Sequence, residues 1–150
     1  MFDYFKNVIF FLMLITTSIS HANPVIEKAH PCTMKDIPVI CANGEKINLD
    51  VIRNTDHRGE FFVNINTKNQ IGNYLLLYID NRKPEVLKVE KGTSTLKVTR
   101  GAFIPTNVVL KLQTANSVQF KIGMKQGSPL TGNLNHNHFE WLKYFGEICK

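Results

Sequence analysis

Cysteine is the residue type in this sequence whose number and spacing could do covalent chemistry. The chain has 150 residues and three cysteines. Cys32 and Cys41 lie in the stretch HPCTMKDIPVIC, and Cys149 lies far along the chain. Neither the CxxC spacing of a redox pair nor the spacing of a zinc knuckle occurs. One disulfide with one thiol left over is therefore expected. We favour Cys32–Cys41, the shorter loop, with Cys149 as the competitor for either partner, because connectivity cannot be derived from sequence.

Two polar clusters could carry metal or acid–base chemistry. His136, His138 and Glu140 would share one face of a strand and could ligate a metal there. They lie where a loop enters a predicted helix, however, so we predict no metal site. The stretch DHRGE, residues 56–60, has no nucleophile motif such as G-x-S-x-G beside it. We interpret it as an exposed turn and predict no catalytic residue. The glycines match no phosphate-binding fingerprint, so no cofactor is predicted.

The N-terminal segment predicts export. A positive charge at Lys6 precedes the apolar run from Val8 to Ile15, and Ser20 and Ala22 fit the small-x-small pattern of signal peptidases. A spanning helix needs about 20 apolar residues, and this run is shorter. We predict removal of residues 1–22, with cleavage between Ala22 and Asn23, and localisation in the periplasm without a stable membrane anchor. An oxidising compartment also favours a disulfide over free thiols or metal ligation.

The charge balance points to an anionic partner. The formal net charge is +6 at pH 7, and removal of the signal peptide takes one acidic and one basic residue, so it stays at +6. Acidic protein surfaces, envelope polyanions and nucleic acid all fit such a balance. Export argues against nucleic acid, and the positive residues are dispersed rather than clustered. A merely solvated, mildly cationic surface is the other explanation.

Apolar residues recur with a period of two through most of residues 46–125, which is typical of half-buried strands. The final segment differs, because Phe139, Leu142 and Phe145 have helical spacing and Asn137 with Glu140 resembles a capping box. This helix should end near Gly146. We predict one all-β domain over residues 23–150, an antiparallel β-sandwich of about seven strands with one short C-terminal helix. The predicted strands are KINLDVI, EFFVNIN, NYLLLYID, EVLKVEKG, TSTLKVTRG, NVVLKLQT and SVQFKIGMK.

Two resemblances bear on function. The segment LKVTRGAFIPTNVVLKLQ, followed later by FEWLKYFG, resembles the invasion-associated locus B family, which implies an exported bacterial β-sandwich protein. The organisation of the chain is similar to that of plasmid-borne periplasmic bacteriocin immunity proteins of the pesticin type, with a signal peptide, one small domain and no enzyme motif. That resemblance implies a protein partner, a peptidoglycan-degrading toxin whose acidic cleft a basic β-protein could block.

We therefore expect a periplasmic, non-catalytic protein that binds and neutralises another protein, most specifically as a bacteriocin immunity protein and inhibitor. The alternative is an envelope-associated adhesion or invasion factor, and the third hypothesis is a small secreted hydrolase, in which His57 and Glu140 would be tested. For the leading hypothesis the exposed loops should supply the partner-binding residues. These residues are Arg53, Asp56, Arg58, Arg82 and Lys83.

Overall fold

Alternation of apolar and polar residues produces the strands of this fold. The structure, a computed structural model, describes residues 24–27, 32–53, 61–91 and 100–149. Nine strands form one antiparallel sheet that curls into a half-barrel, in the order β1-β2-β3-β4-β7-β6-β5-β8-β9. The strands are β1 Val25–Glu27, β2 Thr33–Ile40, β3 Lys46–Arg53, β4 Phe61–Asn66, β5 Ile71–Ile79, β6 Glu85–Lys91, β7 Arg100–Ile104, β8 Val118–Met124 and β9 Leu130–Leu134; the helices are α1 Thr106–Gln113 and α2 His136–Ile148.

The concave face of the sheet holds the core. In β8, for example, Val118, Phe120 and Ile122 point inward and are buried, while Gln119 lies on the outer face and is exposed. Helix α1 adds Val108, Val109 and Leu112 to the same cluster, and Phe145 of α2 is completely buried. The core is thus enclosed between one face of the curled sheet and the two helices.

The two margins of the sheet meet at one end of the half-barrel. Cys41, just after β2, forms an isolated bridge to Gly132 in β9, and the Ala42 N–H donates to the Thr131 carbonyl over 2.8 Å. A Cβ on Gly132 would come within 2.6 Å of the Phe120 ring. Glycine at position 132 therefore allows the Phe120 ring of β8 to pack against β9 at the point where β9 meets β2.

Helix α2 lies alongside the part of β2 that β9 does not contact. Near its start, the His138 Nε2 atom lies 2.9 Å from the Pro38 carbonyl, and at its end Cys149 is bonded to Cys32. The eleven residues from 138 to 149 span about 17 Å as a helix. The six steps from 32 to 38 span about 20 Å as a strand. The similar lengths place α2 alongside β2 from Pro38 to Cys32.

The fold class is confirmed at the level of an antiparallel β-protein with a C-terminal helix, but a sandwich of seven strands is not. Five of the predicted strands are present, as β3, β4, β5, β6 and β8. NVVLKLQT is wrong as a strand, because it forms α1. TSTLKVTRG falls mostly on residues 92–99, outside the described residues. Strands β1, β2 and β9 were not predicted, and of β7 only Arg100 and Gly101 fall in a predicted strand.

The predicted C-terminal helix is present with different ends. Its N-cap is Asn135 rather than Asn137: the Asn135 side chain accepts from the His138 N–H over 3.2 Å. The helix passes through Gly146 and ends at Ile148. Neither α1 nor α2, the helices of the described residues, has the length and apolar composition of a membrane span. The predicted signal peptide, residues 1–22, and its cleavage site at Ala22 and Asn23 lie outside those residues, so export stays a prediction.

The disulfide joins Cys32 to Cys149, and the favoured Cys32–Cys41 bond is wrong. The reason is that both residues flank the same extended strand, β2, at its opposite ends. Nine strand steps separate their Cα atoms by roughly 30 Å, whereas a disulfide requires about 4.4–6.8 Å. Cys41 is a free, buried thiol. Burial, followed by the negative charge of Glu45, raises the pKa of this thiol above its ordinary value, so it is not a reactive thiolate.

Candidate functional site

The outer, convex face of the half-barrel carries an apolar area that the core does not require. An antiparallel sheet with one face in solvent normally presents polar side chains on that face. Here apolar and aromatic side chains lie on neighbouring strands instead, and five of them form one group. We call them the outer patch: Phe62 of β4, Tyr74 and Leu76 of β5, Val86 of β6 and Phe103 of β7. Val86 is 70% exposed and Phe103 is 45% exposed.

One half of the outer patch is an aromatic pair across β4 and β7. Phe62 and Phe103 are directly opposite each other in the register, and their ring centroids are 4.8 Å apart in an edge-on arrangement. A Cβ on Gly101 would lie 2.7 Å from the Phe62 ring and 2.3 Å from the Val63 carbonyl. Glycine at this position lets the Phe62 ring lie across β7, which buries Phe62 and leaves Phe103 exposed beside it.

The other half of the outer patch lies on β5 and β6. Leu76 pairs with Val86, and Tyr74 pairs with Lys88. The Tyr74 ring covers Gly123 of β8, where a Cβ would approach it to 2.5 Å. Val89 of β6 pairs with Ala102 of β7. In this antiparallel register Lys88 therefore lies opposite Phe103. The two halves therefore meet at Lys88, whose long aliphatic stem can lie along apolar neighbours while its amine stays in water.

Cations surround the outer patch in excess over free carboxylates. Lys88 is paired with Glu90 at 3.3 Å, and both side chains are solvent-exposed, so this pair contributes little energy. Glu85 is paired with Lys111 of α1. Among the described residues, Lys121, which is opposite Leu76, has no ion-pair partner. The area therefore combines apolar and aromatic contacts with a positive potential, which favours an acidic partner surface.

The β5–β6 connection places two further cations at one end of the outer patch. Asp80 and Asn81 both have positive φ, 50° and 57°, as hairpin turns of the primed type require. The Asp80 Oδ1 accepts from the backbone N–H groups of residues 116 and 117, at 2.8 and 3.0 Å. These bonds tie the turn to the α1–β8 loop. Arg82 and Lys83 are consequently exposed on an anchored turn just before Val86.

Of the five residues predicted from sequence to bind a partner, the three that the structure describes do not form one cluster. Arg82 and Lys83 are exposed beside the outer patch, whereas Arg53 is half-buried at the end of β3. Asp56 and Arg58 lie outside the described residues. Arg53 at the end of β3 and the β5–β6 turn are at the same end of the sheet, but β4, β7 and β6 lie between them. At about 4.8 Å per strand this is roughly 15–20 Å along the sheet.

The His-x-His-x-Glu motif falls on helix α2 and is not a ligand cluster. Among the described residues, no group of three or more His, Cys, Asp or Glu side chains could hold a metal. His136 and Glu140 are exposed, with 3.9 Å between Nε2 and Oε1. His138 is buried, and both of its ring nitrogens are engaged. Its Nδ1 accepts from the Asn135 N–H over 2.9 Å, so Nε2 carries the proton and donates to the Pro38 carbonyl.

These contacts make His138 a structural residue with a measurable contribution. We expect His138→Ala to lower the free energy of unfolding by about 1–3 kcal/mol, because the Asn135 N–H and the half-buried Pro38 carbonyl lose their partner and the buried ring leaves a small cavity. His136→Ala is the matched control: its side chain is 83% exposed, and it should change stability by less than about 0.5 kcal/mol. Urea denaturation measures both variants. Equal effects of the two substitutions would contradict this role for His138.

The residues of the outer patch had a signal in the sequence. NYLLLYID is a continuous apolar run, and by pattern alone such a run predicts a strand buried on both faces. In the structure only its inward residues, Leu75, Leu77 and Ile79, are buried, and Tyr74 and Leu76 are half-buried on the outside. An unbroken apolar run in an antiparallel sheet therefore had a second explanation, an apolar outer face.

Taken together, the fold and the outer patch define a class of protein: a small β-protein made of one curled sheet, fastened by a disulfide, with an apolar outer face flanked by cations. No family model matches the chain, and no similarity to a curated protein or to a solved structure was found.

Proposed function

We propose that this chain is a periplasmic, non-catalytic protein that binds and neutralises another protein, and that the outer patch is its binding surface. The observation that carries the proposal is the exposure of Val86 and Phe103 on the convex face, next to Lys88. Exposed aromatic and aliphatic side chains grouped together on a monomer mark interaction sites. Aromatic residues are also enriched where interfaces concentrate their binding energy.

The charge around the outer patch supports an acidic protein as the partner. Arg82, Lys83 and Lys121 have no ion-pair partner among the described residues, so their charge is available to an opposing surface. Rim charges of this kind increase the rate of association and select the orientation of the partner. A toxin that cleaves glycosidic bonds carries carboxylates in its cleft. Immunity to a peptidoglycan-degrading bacteriocin is the most specific form of the proposal.

Export and immunity can be tested together in cells. Bacteria expressing the full chain should survive a peptidoglycan-degrading bacteriocin of the pesticin type, and bacteria expressing the chain without residues 2–22 should be killed, because the protein would remain in the cytoplasm. Viable counts after challenge measure the difference. Equal killing of both strains would count against immunity to that toxin.

The surface itself is tested with a pair of matched variants. Val86→Asp places a charge in the outer patch and should weaken toxin binding by about 10- to 100-fold, as expected for an interface centre. Leu110→Asp makes the same type of change on α1, where Leu110 is 59% exposed, and should leave binding within about twofold. Titration calorimetry with the toxin measures both. Full affinity of the Val86→Asp variant would exclude the outer patch as the binding surface.

A further inference from the structure

The interior of the half-barrel contains a cavity that the proposed protein-binding surface does not use. It has a volume of about 80 Å³ and lies between the concave face of the sheet and the two helices. Protein interiors are close-packed, and voids much larger than a water molecule are few. A void of this size at the centre of a small domain is therefore larger than close packing normally leaves.

The walls of the cavity are apolar on both sides. The sheet contributes inward side chains such as Val63, Leu77 and Phe120, and the helices contribute Val109 and Leu112 of α1 and Leu142 of α2. Cavities lined in this way stay dry and take up apolar molecules instead of water. An engineered cavity of about 150 Å³ with Leu, Ile and Phe walls, for comparison, binds benzene or xenon.

The cavity reaches the surface where the end of α1 approaches α2. Gln113, the last residue of α1, is the exposed residue of the lining; Leu142 of α2 is half-buried, as are Leu49 and Leu134, and the rest of the lining is buried. A side chain at Gly146 would come to 3.5 Å from the Gln113 amide, so the two helices are close together at this point.

The polar groups at the cavity restrict the charge of a ligand. Its polar lining side chains are Gln113 and His138, and both ring nitrogens of His138 already have partners. No Lys, Arg, Asp or Glu side chain lines the cavity among the described residues. A carboxylate or ammonium group inside would remain without a counter-charge and would lose its hydration. The ligand should therefore be uncharged, with the Gln113 amide able to meet one hydroxyl or ether oxygen at the mouth.

We infer that the half-barrel binds a small uncharged hydrocarbon group: an aromatic ring or a short aliphatic chain. About 10–15 Å³ of cavity volume holds one group the size of a water molecule. The cavity of about 80 Å³ therefore accommodates roughly five to eight carbon-sized groups. That matches benzene, or about the last six carbons of a longer chain. Both a free small molecule and the end of an amphiphile share this chemistry, and the experiment must distinguish the two sources.

The test uses the thermal unfolding midpoint of the chain with benzene, 1-hexanol, hexanoate and dodecyl maltoside below its micelle-forming concentration. Benzene and 1-hexanol should each raise the midpoint by about 3–5 °C near saturation, because a ligand that binds only the folded state stabilises it. Hexanoate, which has the same chain with a charge, should have no effect. A response to dodecyl maltoside assigns the site to chain ends, and a response only to benzene and hexanol assigns it to free small molecules.

Cavity-filling variants locate the binding site. Val109→Phe extends a ring from α1 into the cavity and should abolish the shift caused by benzene. Leu110→Phe adds a ring at the next position of the same helix, on its exposed side, and should keep the shift. Leu142→Phe, from α2, fills the cavity from its mouth and replaces Val109→Phe if that variant does not fold. The absence of any shift with benzene in the unmodified chain would overturn the inference, as would a full shift in both filling variants.

Discussion

Replacing Cys149 by serine is expected to lower the free energy of unfolding of the oxidised protein by about 3–5 kcal/mol. The bond joins residues 117 positions apart in the sequence, so its loss releases one of the longest loops that this chain can close. In the loop-entropy model, the longer the closed loop, the more the bond destabilises the unfolded state. The bond also holds the end of α2 against the beginning of β2, so its removal should loosen the helix first.

Urea denaturation of two further variants and thiol labelling test this prediction. Cys32→Ser removes the same bond and should have a similar effect. The double variant should be about as stable as the less stable of the two single variants, because both substitutions remove one and the same bond and their effects are not additive. Thiol labelling of the unfolded, unreduced protein should modify Cys41 alone. A Cys149→Ser variant within about 1 kcal/mol of the original, or a peptide digest that recovers Cys32 linked to Cys41, would show the connectivity to be different.

Phe145→Ala is expected to have an effect of the same size, about 3–5 kcal/mol. Phe145 is completely buried, and its ring centroid is 5.6 Å from that of Phe61 in β4. Truncation removes one of the contacts between α2 and the sheet. It also leaves a cavity between the sheet and the helix, which the other contacts of α2 prevent from closing. The cost of such cavities rises with the volume that stays empty.

The neighbouring residue provides a matched control for Phe145. Tyr144 is 56% exposed, so Tyr144→Ala should change the free energy of unfolding by less than about 1 kcal/mol, although a ring of similar size is removed from the same helix. Urea denaturation monitored by circular dichroism measures both variants. Similar losses for Tyr144→Ala and Phe145→Ala would mean that α2 is not packed on the sheet by this face.

The two proposals concern opposite faces of the same sheet, so their variants can be separated. In β6, Val86 is exposed on the outside and Leu87 is buried on the inside. Val86→Asp should weaken binding of the protein partner and leave the benzene response unchanged. Val109→Phe should do the reverse. Failure of one proposal therefore leaves the test of the other intact.

The local residue pattern was sufficient to predict a strand where apolar residues alternate with polar ones and only the apolar face is buried. The sequence of β8 reads as a strand because Val118, Phe120 and Ile122 alternate with polar residues or glycine, and each of the three is buried. The same argument was wrong for residues 106–113. Val108, Leu110 and Leu112 alternate, yet the buried residues are Val108, Val109 and Leu112, which is helical spacing. Eight residues fit both periods, and only packing on the sheet selects one.

The sequence by itself determined that this chain is an antiparallel β-protein with a C-terminal helix, because the alternation and the final helical spacing are local properties. Tertiary structure alone decided that the strands form one curled sheet, that Cys32 meets Cys149, and which apolar residues face outward. Each of these depends on which distant segments become neighbours. A cysteine has the same local sequence whichever partner it meets, and the partner is selected by α2 lying along β2.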